Sequence, residues 1–460
     1  MADRPSISTV SISRHLLAAN NRLDFEFEQP PPQILAQIPR YTIGELIGSG
    51  GMGIVYKAHD KVFDRQVALK VLRRCHQGCA ERRDRFLQEA RTTARLQHPG
   101  IVAVYDMGIS DDDQPYFSMK LVKGRTLDDL ITSENTTPLE RSRLLDTFAR
   151  VCQTVAFSHS HHTMHLDLKP SNVMVGAFGE VYVMDWGLSR RLDSTGGHPL
   201  VNQPSAILTA ETELPATDFS SSKIIGTPSY MAPEQAKGKR IGVRADVFGL
   251  GAILCEILTG LPPYEGENFR HVYRRAVRGA LGRAFQRLES CDADPALIAI
   301  SKRCLARQEK DRPANAGIIA SEITSFVESS MQRAERDLSR FFEISRDLFC
   351  IASLDGYFKR VNSNFSRVLG YSDHELVSKP FIEFIHHDDI PQTIRAMQAL
   401  IEGHSIAEFC NRYRDASGAF RWFEWTAKSI PEDNIVFAVA RVIEQPTEPP
   451  AGQPPARLLH

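Results

Sequence analysis

The stretch IGSGGMGIV sets Gly48, Gly50 and Gly53 between two β-rich runs. Without side chains there, backbone N–H groups can approach phosphate oxygens. A Gly-rich turn alone would be only a hairpin. The following run, VALK, ends in Lys70, whose ammonium can extend toward a nucleotide's α- and β-phosphates, and Glu89 in the next helical segment is its natural ion partner. On an open surface the same two residues would be a solvated pair. Further on, MHLDLKPSNVMV at 164–175 carries His165, Asp167, Lys169 and Asn172, and DWG opens on Asp185. Handling a polyphosphate is the chemistry these types share.

Those residues need a scaffold, and the patterning supplies one. From Tyr41, short β-branched runs split by Gly (YTIGELIGSG, GIVYKAHD, RQVALKVL, IVAVYDMGI, PYFSMKLV) predict an antiparallel sheet of about five strands. One helix, ERRDRFLQEARTTARLQ, interrupts it. Beyond GRTLDDLI the chain turns helical, with one hairpin at SNVMVGAFGEVYVMDWG. Residues 191–223 are polar and turn-rich, which predicts a long loop. Ile319, Ile323, Val327, Met331, Ala334, Leu338 and Phe341 recur every three or four residues and predict an amphipathic helix over 319–341. Residues 341–443 then alternate strands with short helices. The leader 1–38 and the Pro-rich tail 444–460 are predicted to be disordered.

Composition narrows the partners. A net charge of -1, with 42% apolar and 24% charged residues, lacks the basic excess of a nucleic-acid binder. No run reaches the ~20 apolar residues that cross a bilayer, and VFGLGAILCEIL at 247–258 fits a buried core helix. The N-terminus has no apolar signal region, so a cytoplasmic address is expected. Eight scattered cysteines agree with a reducing compartment, and Cys75 and Cys79 read as loop residues without a second pair at zinc spacing.

The order of the motifs is specific. After the Gly-rich loop, Lys70 and Glu89 come HLDLKPSN, DWG, GTPSYMAPE at 226–234, DVFGLG at 246–251 and DRP at 311–313. Over residues 41–327 the chain resembles the eukaryotic-type (Hanks-type) serine/threonine protein kinases of bacteria. The resemblance implies an α+β, bilobal protein-kinase fold. Its β-rich N-lobe would span about 41–122, its helical C-lobe about 123–327 and its activation segment 185–234. ATP would lie against Ile47, Gly48, Ser49, Gly50, Gly51, Met52, Gly53, Val55, Ala68, Lys70, Met119 and Val122. Asp167 would orient the substrate hydroxyl, Lys169 offset charge on the transferring group, and Thr227, with Lys169, mark Ser/Thr rather than Tyr specificity. Asn172 and Asp185 would hold Mg²⁺, with Mn²⁺ as the substitute. Asp246, Glu234 and Arg312 resemble structural anchors of the large lobe, the last two as a buried ion pair.

Two departures stand out. Trp186 replaces the usual Phe, and Leu166 replaces the Arg that in this family pairs with an activating phosphate. The chemical residues are kept, so an active enzyme under another form of control is expected. Thr209, Thr212, Thr217, Ser220, Ser221 and Ser222 are either autophosphorylation sites or ordinary loop hydroxyls. A second reading, a nucleotide-binding pseudokinase scaffold, rests on Leu166 and the long segment alone.

The remainder, LFCIASLDGYFKRVN through RYRDASGAFRWFEWTA, resembles a PAS domain over 341–443. That family folds a five-stranded α/β sheet around a small pocket and serves as a sensor or dimerisation module. No reactive-cysteine flavin stretch follows its first helix, haem has no support, and the pocket ligand is unknown. His386, His387, Asp388 and Asp389 read as a turn with Asp capping a helix, and HSHHTMH at 159–165 as a helix end with a structural His165. The expected partners are protein substrates and a second copy of the chain, paired through helix 319–341 and the PAS part.

Overall fold

A computed structural model describes residues 38–76, 78–132, 138–192, 227–444 and 457–459. The leader, apart from Ile38, and all six hydroxyl residues named above lie outside that range. The chain divides into two units, 1–328 and 329–460.

The first unit opens with an antiparallel sheet of β1 (Tyr41–Ser49), β2 (Gly53–Asp60), β3 (Arg65–Leu72), β4 (Val104–Ile109) and β5 (Pro115–Lys120), ordered β1-β2-β3-β5-β4. Being central, β3 is covered on both faces. Val67, Leu69 and Val71 join Tyr41 and Tyr56 on one side, and Ala68 and Leu72 join Phe86 and Phe117 on the other. The two-residue period therefore places Lys70 on the face of Ala68 and Leu72, toward α1 (Ala80–Arg95). On α1 the buried stripe is Phe86, Glu89, Ala90 and Thr93, at helical spacing. A carboxylate in an apolar stripe needs a partner there, and Lys70 is it.

The helical part contains α2 (Leu127–Thr132), α3 (Pro138–Ser160), α4 (Pro233–Ala236), α5 (Arg244–Thr259), α6 (Phe269–Arg278), α7 (Gly282–Ser290) and α8 (Pro295–Cys304). Every residue of α5 from Ala245 to Leu258 is buried, as a sequence apolar on all sides requires, and its two carboxylates, Asp246 and Glu256, are buried with hydrogen-bond partners. It stops at Gly260, whose φ of 74° suits a glycine and whose N–H bonds the Glu256 carbonyl. Short strands β6 (Gly124–Thr126), β7 (Thr163–Met164), β8 (Val173–Gly176), β9 (Val181–Val183) and β10 (Arg190–Arg191) frame the loops that carry the chemistry. The β8–β9 hairpin delivers Asn172 at one end and Asp185 at the other. No helix among the described residues is long and apolar enough to cross a membrane.

Helix α9 (Ala316–Ile344) runs three residues beyond the expected helix at each end. In the second unit, β11 (Leu348–Ala352), β12 (Phe358–Val361), β13 (Ser405–Arg414), β14 (Phe420–Ile430) and β15 (Ile435–Ile443) accompany α10 (Ser363–Leu369), α11 (Asp373–Ser378) and α12 (Ile390–Ile401). The expectation of five strands and a disordered tail needs correcting. Past the prolines, β16 (Arg457–Leu459) pairs antiparallel with the free edge of β13, giving the order β12-β11-β15-β14-β13-β16. An edge strand's unpaired N–H and C=O groups accept any adjacent extended segment. The capping reading of Asp389 also fails: its side chain makes no cap and instead takes a two-point contact from Arg412, Nε and Nη2 each 2.8 Å away. His386 accepts from the Asp388 N–H and so caps the short turn His387–Asp389 that precedes α12.

Candidate active site

The nucleotide-sized cleft, of about 1040 Å³, is lined by Gly48 to Gly53 with Val55, Lys70, Glu89, Met119, Asp167, Lys169, Asn172, Asp185 and Thr227. Of the predicted site residues, Ile47, Ala68 and Val122 are not part of that lining. Ile47 is exposed, Ala68 is buried, and Val122 packs on the same N-lobe cluster. Sequence motifs missed Val102, Phe117 and Met184 on the apolar wall. Phe117 lies on β5, Val102 in the segment before β4 and Met184 just after β9, and only Met184, beside Asp185, had a signal in its position.

The glycine turn is closed by Gly50 N–H donating to the Gly53 carbonyl at 2.9 Å. A Cβ on Gly53 would stand 2.9 Å from the Val71 carbonyl, so the turn can lie against β3 only if residue 53 is glycine. Arg73 Nε, 2.8 Å from the Gly50 carbonyl, holds the same turn from outside.

Lys70 Nζ lies 2.5 Å from Glu89 Oε1, with the two side chains 13% and 5% exposed. Burial opposes the ammonium, but Glu89 and Asp185 hold Lys70 above its ordinary pKa, so it stays charged. Asp185 opens onto the cleft, where desolvation by the surrounding protein would by itself raise its carboxyl. Lys70, His165 and Lys169 nearby keep its carboxyl below the usual carboxylate value. Its φ of 60° is a left-handed conformation that Asp tolerates, and its Oδ1 accepts from Gly187 N–H.

Asp167 is gripped at both oxygens. Oδ1 accepts from Thr227 N–H at 3.0 Å and from the Thr227 hydroxyl at 3.2 Å. Oδ2 lies 2.9 Å from Lys169 Nζ and 3.1 Å from Asn172 Nδ2. Lys169 Nζ also donates to Thr227 Oγ1 at 2.8 Å. Asn172 thus turns its amide nitrogen toward Asp167 and leaves its oxygen for a cation, beside the ionised Asp185. That donor set fits a hard divalent metal.

The two departures have structural answers. Trp186 is 1% exposed, its Nε1 donates to the Val183 carbonyl at 3.1 Å, and its ring meets His165 edge-on. Leu166 is buried in the core of the helical lobe, at a φ of 68° that costs a non-glycine residue roughly 1–2 kcal/mol. What holds it is Asp246, whose carboxylate accepts from His165 N–H and Leu166 N–H at 2.8 Å each and from His159 at 2.8 Å. Gln235, another residue outside the motifs' known roles, donates to the Leu166 carbonyl at 2.7 Å.

Asp246→Ala would strand two buried N–H donors and is expected to cost on the order of 3 kcal/mol. Burial would raise this carboxyl, but His159 and the backbone donors lower it. A lowered folded value means that its stabilisation is present above the unfolded pKa, near 4, and is lost as pH falls through the folded value. Urea midpoints of wild type and variant should therefore differ at pH 7 and converge in acid.

Outside the cleft, His386, His387 and Asp388 bring ligand atoms within 4.8 Å of one another, His387 and Asp388 being exposed. Arg412 also lies 3.5 Å from Asp388, a cation already beside the carboxylate.

Comparison with known proteins agrees with this geometry. The protein kinase domain family matches residues 41–324, and the PAS fold family matches 358–441. The serine/threonine-protein kinase PknB of Mycolicibacterium smegmatis is 34% identical over 316 residues, 67% of this chain and 46% of that protein. PknB of Mycobacterium tuberculosis is 37% identical over 276 residues, 59% of this chain and 40% of that one. PknD of Protochlamydia amoebophila is 30% identical over 328 residues, 68% and 31% respectively. The chain thus spans less than half the length of these curated relatives. With well over half its residues matched and the motif residues gathered in one cleft, the chain belongs to the protein kinase family, in its bacterial serine/threonine branch, and carries a PAS fold after the kinase domain.

Proposed function

We propose that the chain transfers the γ-phosphate of ATP to serine and threonine hydroxyls of proteins, under the control of its PAS unit. One observation supports this above the others: Asp167 is held at both oxygens by Lys169, Asn172 and Thr227, facing the Lys70–Glu89 pair and Asp185 across one cleft. The family implies ATP and a divalent metal. Asn172 and Asp185 would hold that metal, Mg²⁺ before Mn²⁺, and when bound it would neutralise charge on the phosphate oxygens.

The chain's own residues supply the rest. Lys70 binds the α- and β-phosphates with its charge preserved by Glu89. The Thr227 hydroxyl bridges Asp167 and Lys169, the two groups that an incoming hydroxyl and its transferring phosphate would meet. Asp167 accepts that hydroxyl's hydrogen bond and aims its oxygen in line with the γ-phosphorus. The new O–P bond forms as the bond to the β,γ-bridging oxygen breaks, the hydroxyl proton passes to Asp167, and ADP leaves. Lys169 offsets the charge on the transferring group.

Leu166 bears on control. An apolar side chain packed in the core cannot receive a phosphate, so activity at this site is independent of the usual Arg–phosphate contact. Nothing among the described residues favours the scaffold reading. The test is label transfer from γ-labelled ATP with Mg²⁺ and with Mn²⁺ by the full chain. Phosphoserine and phosphothreonine are expected, and either phosphotyrosine or no label would defeat the assignment.

The PAS unit and α9 support pairing with a second copy. Met331, Leu338, Phe341 and Ile344 on α9 are each more than two-thirds exposed, an apolar series of the kind that pairs in a two-chain coil. Met331→Glu with Leu338→Glu should lower the mass in sedimentation from that of a dimer to that of a monomer. A cytoplasmic address is favoured by the dependence on ATP and by eight free cysteines.

A further inference from the structure

We propose that the C-terminal half of α6, with the chain just past α4 and α8 beside it, forms a docking surface for an acidic segment of a protein substrate, apart from the catalytic cleft. Naming that partner a substrate rests on the kinase reading; the docking itself does not.

Five cations meet there. Arg274 and Arg278 stand one turn apart on α6, Lys237 and Lys239 follow α4, and Arg307 follows α8, all five exposed. Backbone and side-chain contacts bring the three segments together. The Tyr273 hydroxyl donates to the Ala236 carbonyl at 2.7 Å, which ties α6 to the end of α4. Lys239 N–H donates to the Glu234 carbonyl at 2.9 Å and so curls the second lysine back onto α4. Helix α6 stops at Gly279, at a φ of 62°, and a Cβ there would stand 2.8 Å from Arg307 Cγ and 3.3 Å from Pro233 Cγ. Burial, and then the charges of Lys239 and Arg307, hold Lys237 below its ordinary pKa, as crowded like charges do.

What marks this surface is the missing counter-charge. The chain is balanced overall, at a net -1, and elsewhere in the unit Arg83 has Asp113, Arg150 has Asp146 and Arg303 has Glu322. Among the described residues none of the five cations has a carboxylate within ion-pair distance, and Glu234, the nearest in sequence, is spent on Arg312. An acidic partner supplies what the fold leaves out.

The rest of α6 selects a protein over a lipid surface. A membrane is held by apolar side chains that project from a helix, whereas Phe269, the exposed aromatic here, lies stacked on Tyr273 with the rings 4° from parallel. Phe269, Tyr273 and Val277 recur every fourth residue beside Arg274 and Arg278, so an acidic segment with apolar residues of its own meets both rows at once.

The probe is a labelled peptide alternating glutamate and phenylalanine. Its fluorescence anisotropy, titrated with the full chain, should saturate, and binding should weaken as salt rises past about 0.15 M, where screening acts within about 8 Å. Arg274→Glu with Arg278→Glu should weaken it about tenfold or more, with the circular dichroism of the wild type. Lys237→Glu with Lys239→Glu serves in the same way if the first pair fails to fold. Neither pair touches the cleft, so transfer to a serine peptide without the acidic run should keep the wild-type rate. Joining the acidic run to that serine peptide should lower its KM about tenfold at unchanged kcat, a gain that the variants lose. Equal binding by a folded, charge-reversed chain, an unchanged KM, or capture of phosphatidylserine vesicles through these residues without peptide binding would each overturn the proposal. The chain's own acidic run is neutralised by Asp24→Asn, Glu26→Gln and Glu28→Gln, which should leave probe affinity as it is; a several-fold rise would make the leader the occupant and overturn the assignment to a substrate. A chain that binds the probe yet labels no peptide would sink the kinase reading alone.

Discussion

Asp167→Asn is expected to lower phosphate transfer about 10³-fold while ATP affinity stays within about twofold. The amide keeps the shape of the carboxylate and can still accept from Thr227 N–H, 3.0 Å away in the native site. It loses the charge that draws the substrate hydroxyl into line and that balances Lys169. Lys70 with its partner Glu89, and Asp185, the residues proposed to hold the nucleotide and its metal, are untouched, so the loss belongs in kcat rather than in KM for ATP. Single-turnover transfer and equilibrium nucleotide binding, measured on the same preparations, separate the two. A variant retaining a tenth of the wild-type rate would show that Asp167 is not the group that positions the hydroxyl.

Much of this site was legible because its residues are tied to local pattern. Gly53 is needed where a strand presses on its neighbour, Lys70 falls on the inner face of β3 by the two-residue period, and Glu89 sits in the apolar stripe of α1. The motif order then joined them to Asp167, Asn172 and Asp185. The lobes, the buried α5 and the alternation of the PAS unit followed from periodicity alone.

What stayed hidden depends on contacts distant in sequence. Gln235 reaches the Leu166 carbonyl across 69 positions, and Arg412 claims Asp389 from another element, displacing the cap that local sequence suggested. Val102, Phe117 and Met184 become cleft-wall residues only when three distant segments close around one space. The tail strand β16 was missed for the opposite reason. The prolines before it dominate the composition, while its pairing depends on an open edge of β13 that sequence cannot display.

Arg312→Ala is expected to destabilise the kinase unit by about 3–5 kcal/mol, since it leaves a buried carboxylate without its cation. Arg312 has no exposed side-chain surface, and its Nη1 and Nη2 lie 2.5 and 2.8 Å from the two oxygens of Glu234. It also donates to the carbonyls of Ala306 and Arg244 and lies over the Phe248 ring, so it ties α4, α5 and the segment after α8 together. A loss of that size is a large share of the ~5–15 kcal/mol that keeps a domain folded. Urea unfolding of the full chain, read from its kinase transition, measures it. Glu234→Gln alone should cost less, because its amide oxygen can still accept from Arg312, whose charge keeps the Ala306 and Arg244 carbonyls as partners. The double variant Glu234→Leu with Arg312→Met should recover much of the loss, since it removes both charges together. Equal destabilisation by Arg312→Ala and the double variant would instead assign the effect to the two carbonyl contacts, which both variants lose, and would make the ion pair incidental. Because α4 also carries Gln235, activity in the surviving folded fraction reports whether loosening this anchor reaches Leu166 and the neighbouring Asp167.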